Sequence, residues 1–445
     1  MSLIQQSART FVWQVAGFLA LVLSGMVTTR YLGPADRGLL AAAYLYPQLA
    51  TTLGSLSFGV AIIHHYGRRE CSSEEFAGTC VAASGGLGVA SLGLLLGGAW
   101  LGGEPFHRGI PWVILFLVLL PLPGLFALGY FSTLLQAAMD FHWYNLVTHG
   151  PKLISLLAVL VLLASGRLAV WELVIVGTVL SAITCLVPVW RMRRHAPGPW
   201  RLQGTLFWRL AADGLRIHLG VIAIFLAGRA NLFLANFFLA KADVGFLYVA
   251  ITLAELVWFI SVAAETVLYP QAAQMSATDA ATLTARVCRQ ILILSLVAGL
   301  GLAVLAPAAV MLYGGRPFLP AVTPLRLLLP GMVALTISKI LSALWVRKGW
   351  FLTLTLVAGG TGLLSVALNV LLIPLFGTTG AALATTVPYV LNAGVSLLIY
   401  RRWVSRDVAM VLRVQREDLA HLMRSVGGWR LSATGPVMKP EKRLP

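Results

Sequence analysis

Along this chain long apolar stretches alternate with short polar connections, and about twelve of the stretches are long enough to cross a bilayer as helices. They run over 10–31, 38–63, 77–102, 111–138, 143–164 and 168–190, then over 214–239, 244–269, 287–313, 321–346, 352–373 and 379–400. The pattern predicts an all-α polytopic membrane protein. Three stretches carry paired helix breakers: Gly85 with Gly86, Pro121 with Pro123, and Gly359 with Gly360. In lipid such breaks are tolerated where a neighbouring helix or a watery cavity satisfies the freed backbone. Small residues also serve close helix packing, and most of these glycines read that way.

The pattern repeats. Ala35-Asp36-Arg37-Gly38 stands between the first and second stretches, and Ala242-Asp243-Val244-Gly245 between the seventh and eighth. The longest connection, the basic segment Arg191–Asp213, lies near the midpoint. The chain therefore divides into an N-lobe (1–190), a cytoplasmic basic linker (191–213), a C-lobe (214–400) and a basic tail (401–445). An even number of crossings per lobe brings both lobes in from the same side. The repeat is then parallel, with a pseudo-two-fold along the membrane normal and a central cavity between the lobes, where transporters place their substrates.

Lys and Arg set the orientation. With the N-terminus inside, Arg9, Arg68, Arg69, Arg191, Arg193, Arg194, Arg201, Arg209, Arg286, Arg289, Arg347, Lys348 and the tail cations all fall on the inner face. The outer connections hold only Arg30, Arg37, Arg108, Arg167, Lys241 and Arg316. This bias predicts cytoplasmic termini. No A-x-A site closes the first stretch, so a retained helix is expected rather than a cleaved signal peptide. In the tail, apolar Val404, Val408, Val411, Leu412, Leu419, Leu422, Met423 and Val426 recur at helical spacing among arginines. That predicts a basic amphipathic helix over roughly 404–426 lying on anionic lipids at the inner surface.

Composition agrees: 58% of residues are hydrophobic and 11% charged, with a mean hydropathy of +0.85. Soluble domains carry roughly 25% charged residues. The net charge of +17 is spread over connections as a topology signal and forms no nucleic-acid-binding domain. The four cysteines, Cys71, Cys80, Cys185 and Cys288, show neither a CxxC pair nor metal-ligand spacing and read as free thiols. No metal or cofactor is expected. His64-His65 is a poor metal pair, because neighbours on a helix diverge by about 100°.

Polar groups inside the stretches are the candidates for function, since a central charge costs about 2.5–3.5 kcal/mol on insertion scales. Lys152, Arg229 and Lys339 are the deepest cations, while Arg216 and Arg326 lie near helix ends and can snorkel. Lys152 shares a helix face with Asn145, Thr148, His149 and Ser155; Arg229 shares one with His218 and Asn236; Gln14, Ser24 and Thr28 line the first stretch. Two readings stand for these cations: they face a hydrated cavity, or acids neutralise them, with Glu255 or Glu265 as the partner of Arg229. The first five stretches hold no Asp or Glu well inside their spans. A cation exporter would want such a carboxylate; fixed positive charge suits an anion, and phosphate is the natural ligand of Arg and Lys. Neither a P-loop nor H-E-x-x-H nor G-x-S-x-G is present, and the outer connections are too short to carry the catalytic loops of a glycan polymerase or ligase. The chain reads as no enzyme.

"TRYLGPADRGLLAAAYLYPQLATTLGSLSFGVA", "KADVGFLYVAITLAELVWFISVAAETVLYPQAA" and "LNVLLIPLFGTTGAALATTVPYVL" resemble the polysaccharide transporter family. These are oligosaccharide-lipid flippases of the multidrug/oligosaccharidyl-lipid/polysaccharide exporter superfamily. The likeness extends to about Tyr400 and rests on R-x-L-G-P at Arg30–Pro34, L-A-E at Leu253–Glu255 and G-A-A-L-A-T at Gly380–Thr385. It implies alternating access in a bacterial inner membrane and translocation of an undecaprenyl-pyrophosphate-linked glycan to the outer leaflet. Glycosyltransferases or a polymerase would be its partners. The cations expected to hold the pyrophosphate are Lys152, Arg229, Lys339 and Arg30, with Gln14, Ser24, Asn145, His149, Asn236 and Glu255 as supporting polar groups. A cation-coupled antiporter of the same superfamily is the alternative.

Overall fold

The computed structural model describes residues 3–68 and 70–413. The helices are α1 (Leu3–Gly54), α2 (Phe58–Gly67), α3 (Ser73–His107), α4 (Trp112–Leu119), α5 (Leu122–Ala137), α6 (Phe141–Ala164), α7 (Val170–Thr184) and α8 (Leu186–Met192). After a connecting segment come α9 (Gly204–Phe238), α10 (Lys241–Gln274), α11 (Ala277–Val304), α12 (Ala306–Gly314), α13 (Val322–Arg347), α14 (Phe351–Trp403) and α15 (Ala409–Leu412).

Among the described residues ten helical spans are long and apolar enough to cross a membrane. Two of them are double. The span in α1 runs for 43 residues and that in α14 for 52, lengths of about 65 and 78 Å at 1.5 Å per residue, against a hydrocarbon core of about 30 Å. Each is interrupted by a glycine outside helical geometry, Gly33 (φ 75°, ψ 177°) in α1 and Gly377 (φ 61°, ψ −135°) in α14. Positive φ is cheap only for glycine. Counting each side separately turns ten spans into the twelve crossings that the hydropathy pattern predicts.

Only the proline pair among the expected breakers interrupts a helix, parting α4 from α5 at Leu120–Pro121. Gly85, Gly86 and Gly360 lie inside helices with open space where a Cβ would go. The second crossing breaks elsewhere, between α1 and α2, where Leu56 (φ 47°) and Ser57 (φ 51°) are left-handed. Neighbouring helices satisfy the freed carbonyls: the Tyr130 hydroxyl donates to Ser55 O at 3.0 Å, and His218 Nε2 to Leu53 O at 2.9 Å. A broken helix in a membrane protein needs such partners.

Buried apolar side chains cluster by lobe. One core draws on the second crossing and α2–α8, and it extends to Leu206 and Leu210 at the start of α9. A second gathers Leu232 and Ala235 from the end of α9 with α10, α12, α13 and α14. Helix α9 therefore docks on the N-lobe at one end and belongs to the C-lobe at the other. It begins at Gly204, ten residues before the expected crossing, because Leu206 and Leu210 find a core to enter. The remaining connecting segment is packed down, with Trp200 stacked on Phe131 (ring centroids 5.6 Å), Arg193 over Trp200 (3.9 Å) and Ala196 fully buried.

The matching turns of the two lobes meet. A Cβ on Gly38 would lie 1.7 Å from the Lys241 carbonyl oxygen, and one on Gly245 would lie 2.2 Å from that of Pro34. The contact is reciprocal, as a two-fold requires, and it puts the Asp36 and Asp243 turns on one side. Phe18 and Phe259 extend the seam, with ring centroids 4.2 Å apart.

At Trp403 the last long helix stops, and the chain turns before the short α15, where Val411 is buried in a third core made by the ends of α10, α11, α13 and α14 around Leu268, Cys288, Leu341 and Tyr400. The expected continuous helix from 404 is thus replaced over 404–413 by a bend and one turn, held by Arg289 donating to the Met410 carbonyl. Residues 414–426 of that expectation lie outside the described residues.

Candidate functional site: cations within the lobes

The three deep cations occupy three separate places. Lys152 lies on α6, whose polar face meets the first crossing: Asn145 Nδ2 donates to Thr10 Oγ1 at 2.8 Å, and both His149 and the Lys152 stem flank Gly17. A Cβ at Gly17 would stand 3.2 Å from His149 and 3.3 Å from Lys152, so the glycine is what lets this face approach. Lys152 also lines a cavity of about 560 Å³ between the second crossing and α4–α7, together with Tyr44, Gln48, Thr51, Thr148 and Ser181. No carboxylate lies within ion-pair distance of Lys152 among the described residues. Thr148 Oγ1, His149 Nδ1 and Asn145 Oδ1 are buried without a protein hydrogen-bond partner. Such groups are ones that a polar ligand can satisfy.

Arg229 follows the other reading. Its Nη1 lies 2.9 Å from Glu255 Oε1, joining α9 to α10. Tyr389 of α14 closes over the same region and donates to the Ala227 carbonyl at 3.1 Å. Lys339 of α13 stands 3.7 Å from Glu265 Oε2 and 5.1 Å from the Trp258 ring centre. Both C-lobe cations thus carry their own counter-charge, which spends most of their attraction for an anion. Both pairs are only part-buried, with Arg229 32% and Lys339 32% exposed.

The remaining expected residues are dispersed. Arg30 is exposed and donates to the Met311 carbonyl at 3.2 Å. Asn236 is buried and accepts from Lys241. Gln14 is exposed, and the Ser24 carbonyl takes the Thr28 hydroxyl at 2.8 Å. His218 turns away from Arg229 to the broken second crossing, with Nδ1 3.0 Å from Ser57 Oγ.

Two buried cations escaped the pattern: Arg289, counted among inner-face charges and 6% exposed, and Arg37. Arg37, counted among outer-loop charges, is 7% exposed, lies 4.0 Å over the Tyr248 ring and donates from Nε to Thr29 Oγ1 at 3.0 Å. Desolvated cation–π contacts are worth about 2 kcal/mol or more, so Arg37 ties the second crossing to α10 beside the Gly38–Gly245 seam. The available signal was its place next to the repeated turn, where two lobes must touch.

Comparison with known proteins places this geometry. The profile of a family described as polysaccharide biosynthesis protein matches residues 27–323, well over half of the chain. No curated protein matches it. Among solved structures the chain is similar to the lipid II flippase MurJ in an inward closed conformation, with a TM-score of 0.73 at 13% identity over 94% of this chain and 96% of that one. It is similar to an inward-facing multidrug resistance transporter of the MATE family, with a TM-score of 0.67 at 13% identity over 89% and 98%. A transporter from Pyrococcus furiosus Vc1 (DSM3638), described as having a binding pocket of reverse polarity, gives 0.60 at 13% over 92% and 95%. These likenesses show that the chain has the two-lobe helical fold of these transporters.

Proposed function

This chain belongs to the polysaccharide biosynthesis protein family, and on that premise we propose that it flips an undecaprenyl-pyrophosphate-linked oligosaccharide from the inner to the outer leaflet of a bacterial inner membrane. The observation that carries this reading is Lys152: a half-buried cation with no carboxylate partner among the described residues, in a 560 Å³ cavity edged by hydroxyls and the Gln48 amide and otherwise apolar. A cavity of that character suits the phosphate end of an amphiphile better than a cationic drug. The multi-pass fold supplies alternating access by rocking one lobe against the other around the seam at Gly38 and Gly245. The arginine bias puts the termini and the basic segment between α8 and α9 in the cytoplasm. Arg229 and Lys339, already paired, take the secondary role of shaping the C-lobe surface.

The antiporter reading draws on Glu255 and Glu265, the two carboxylates of α10 that lie beyond its first turn, where Asp243 stands. Each faces a cation, which leaves little negative field for a cationic substrate.

In cells lacking the endogenous protein, Lys152→Ala should reduce surface glycan at least tenfold at unchanged membrane abundance. Lys152→Arg should retain part of the export, because charge survives while geometry changes. Full export by Lys152→Ala would sink the anion-site reading.

A further inference from the structure

The second crossing touches the C-lobe at one end, and at the other it touches α9, the helix that enters the N-lobe core at Leu206 and Leu210 and runs on into the C-lobe. Gly38 begins it beside Gly245, and α2 ends it beside the first half of α9. At that far end the His65 side chain, 8% exposed, is held between two carboxylates on opposite sides of the ring. Nδ1 lies 2.7 Å from Glu70 Oε2, and Nε2 lies 2.9 Å from Asp213 Oδ2 of α9. Ionised carboxylates only accept hydrogen bonds. Both ring nitrogens must therefore donate, which requires the imidazolium. A neutral ring would turn one lone pair toward a carboxylate and lose that contact.

We propose that His65 is a proton-binding site whose occupancy fastens α9 to the end of the second crossing, so that proton release unfastens this end of the contact between the lobes.

The surroundings favour this state. Arg216 Nη1 binds the other Asp213 oxygen at 2.8 Å, and Arg68 Nη1 lies 3.9 Å from Glu70 Oε1. Arg209 on α9 adds positive field at Glu70, and His64 on α2 adds it at Asp213. Cys71 follows Glu70, with Glu75 of α3 near it. Burial works to lower the His65 pKa, but its two carboxylate bonds outweigh burial and raise it above the ordinary 6.5. Hydrogen bonding to His65 holds Glu70 and Asp213 below their usual values. The sign follows. The fastening is complete below the ordinary imidazole pKa and is lost as pH rises through the raised one. At the acid end it is lost as pH falls through the depressed carboxylate values. Beside this cluster, His218 of α9 meets Ser57 Oγ and the Leu53 carbonyl with no carboxylate involved. A cavity lined by Val60, Ala61, His64, Asp213 and Arg216 opens beside Asp213, the partner of His65 Nε2. Bound and released at one end, this proton sets a conformation and is not carried across.

The test is a distance measurement on the full chain in nanodiscs, with nitroxide labels at Ile63→Cys on α2 and Leu215→Cys on α9 in a Cys71→Ser background. At pH 6 one short-distance population is expected. At pH 9 a longer one should gain, by about tenfold for each unit by which the His65 pKa differs between fastened and open states. His65→Gln and Asp213→Asn should each show the longer population already at pH 6 and lose the pH response. Should either variant fail to fold, histidine NMR of the unsubstituted chain decides the matter. His65 titrating at or below 6.5 overturns the proposal, as does an unchanged distance between pH 6 and 9 or a normal pH response in His65→Gln.

Discussion

At the scale of single residues, glycines and cations divide by what surrounds them. Gly38 is required by close approach: a methyl there would drive into the Lys241 carbonyl, and overpacking of this kind costs about 1–3 kcal/mol. Gly38→Ala should therefore lower the thermal midpoint of the purified protein by several degrees. Gly360→Ala, inside a helix with open space around it, should leave the midpoint unchanged or raise it, since alanine is better in a helix by roughly 0.5–1 kcal/mol. Equal losses from both would show that the seam is looser than these distances imply. Arg37→Lys should behave nearly as badly as Arg37→Ala in export, because an ammonium cannot both lie flat on Tyr248 and bond Thr29.

At the scale of elements, two joints hold crossings in register. The break at Leu56–Ser57 draws on donors from other helices; Tyr130→Phe removes one of the two donors to the Ser55 carbonyl, leaving the Phe58 N–H at 3.1 Å, and should cost about 1 kcal/mol. Hydrogen exchange localises the effect: amides 56–60 should exchange faster, while those of α13 stay protected. The second joint is Asp140 at the start of α6, which accepts from Arg191 at 2.7 Å and from His195 at 2.9 Å near the end of α8. Burial would raise its pKa, but the His195 and Arg191 bonds prevail and hold it below the ordinary carboxylate value. Its stabilising share is present above that ordinary value and disappears as pH falls through the depressed one. Asp140→Asn should accordingly lower the unfolding midpoint at pH 7 and flatten its decline in acid; an acid decline matching the unsubstituted protein's would assign that sensitivity to other groups.

For the whole molecule, the proposed alternating access requires the lobe seam to open at one end at a time. A short bis-methanethiosulfonate cross-linker between Phe18→Cys and Phe259→Cys, in a Cys71→Ser background, should stop export, and reducing its disulfides should restore it. Uninterrupted export with the link intact would mean that the first crossing and α10 move as one body.

Much of this could be read from one dimension. Apolar run length specifies the crossings, because lipid demands about twenty apolar residues for each. The repeated Ala-Asp-x-Gly turn specifies the parallel doubling, since a matched turn after an even number of crossings returns to the same side. The lack of acids beside Lys152 was legible as well, because a missing residue type needs no coordinates. Pairing was not. Glu255 and Glu265 were equal partners for Arg229 by sequence, and helix rotation and packing chose Glu255. His65 offered no signal in its own neighbourhood beyond Glu70. Its second carboxylate, Asp213, comes from the far side of the connecting segment, brought there by Leu206 and Leu210 entering the N-lobe core. Solvent preference is a property of each stretch alone, whereas a salt bridge or a proton site needs two stretches oriented against each other, and that orientation exists only once the helices have packed.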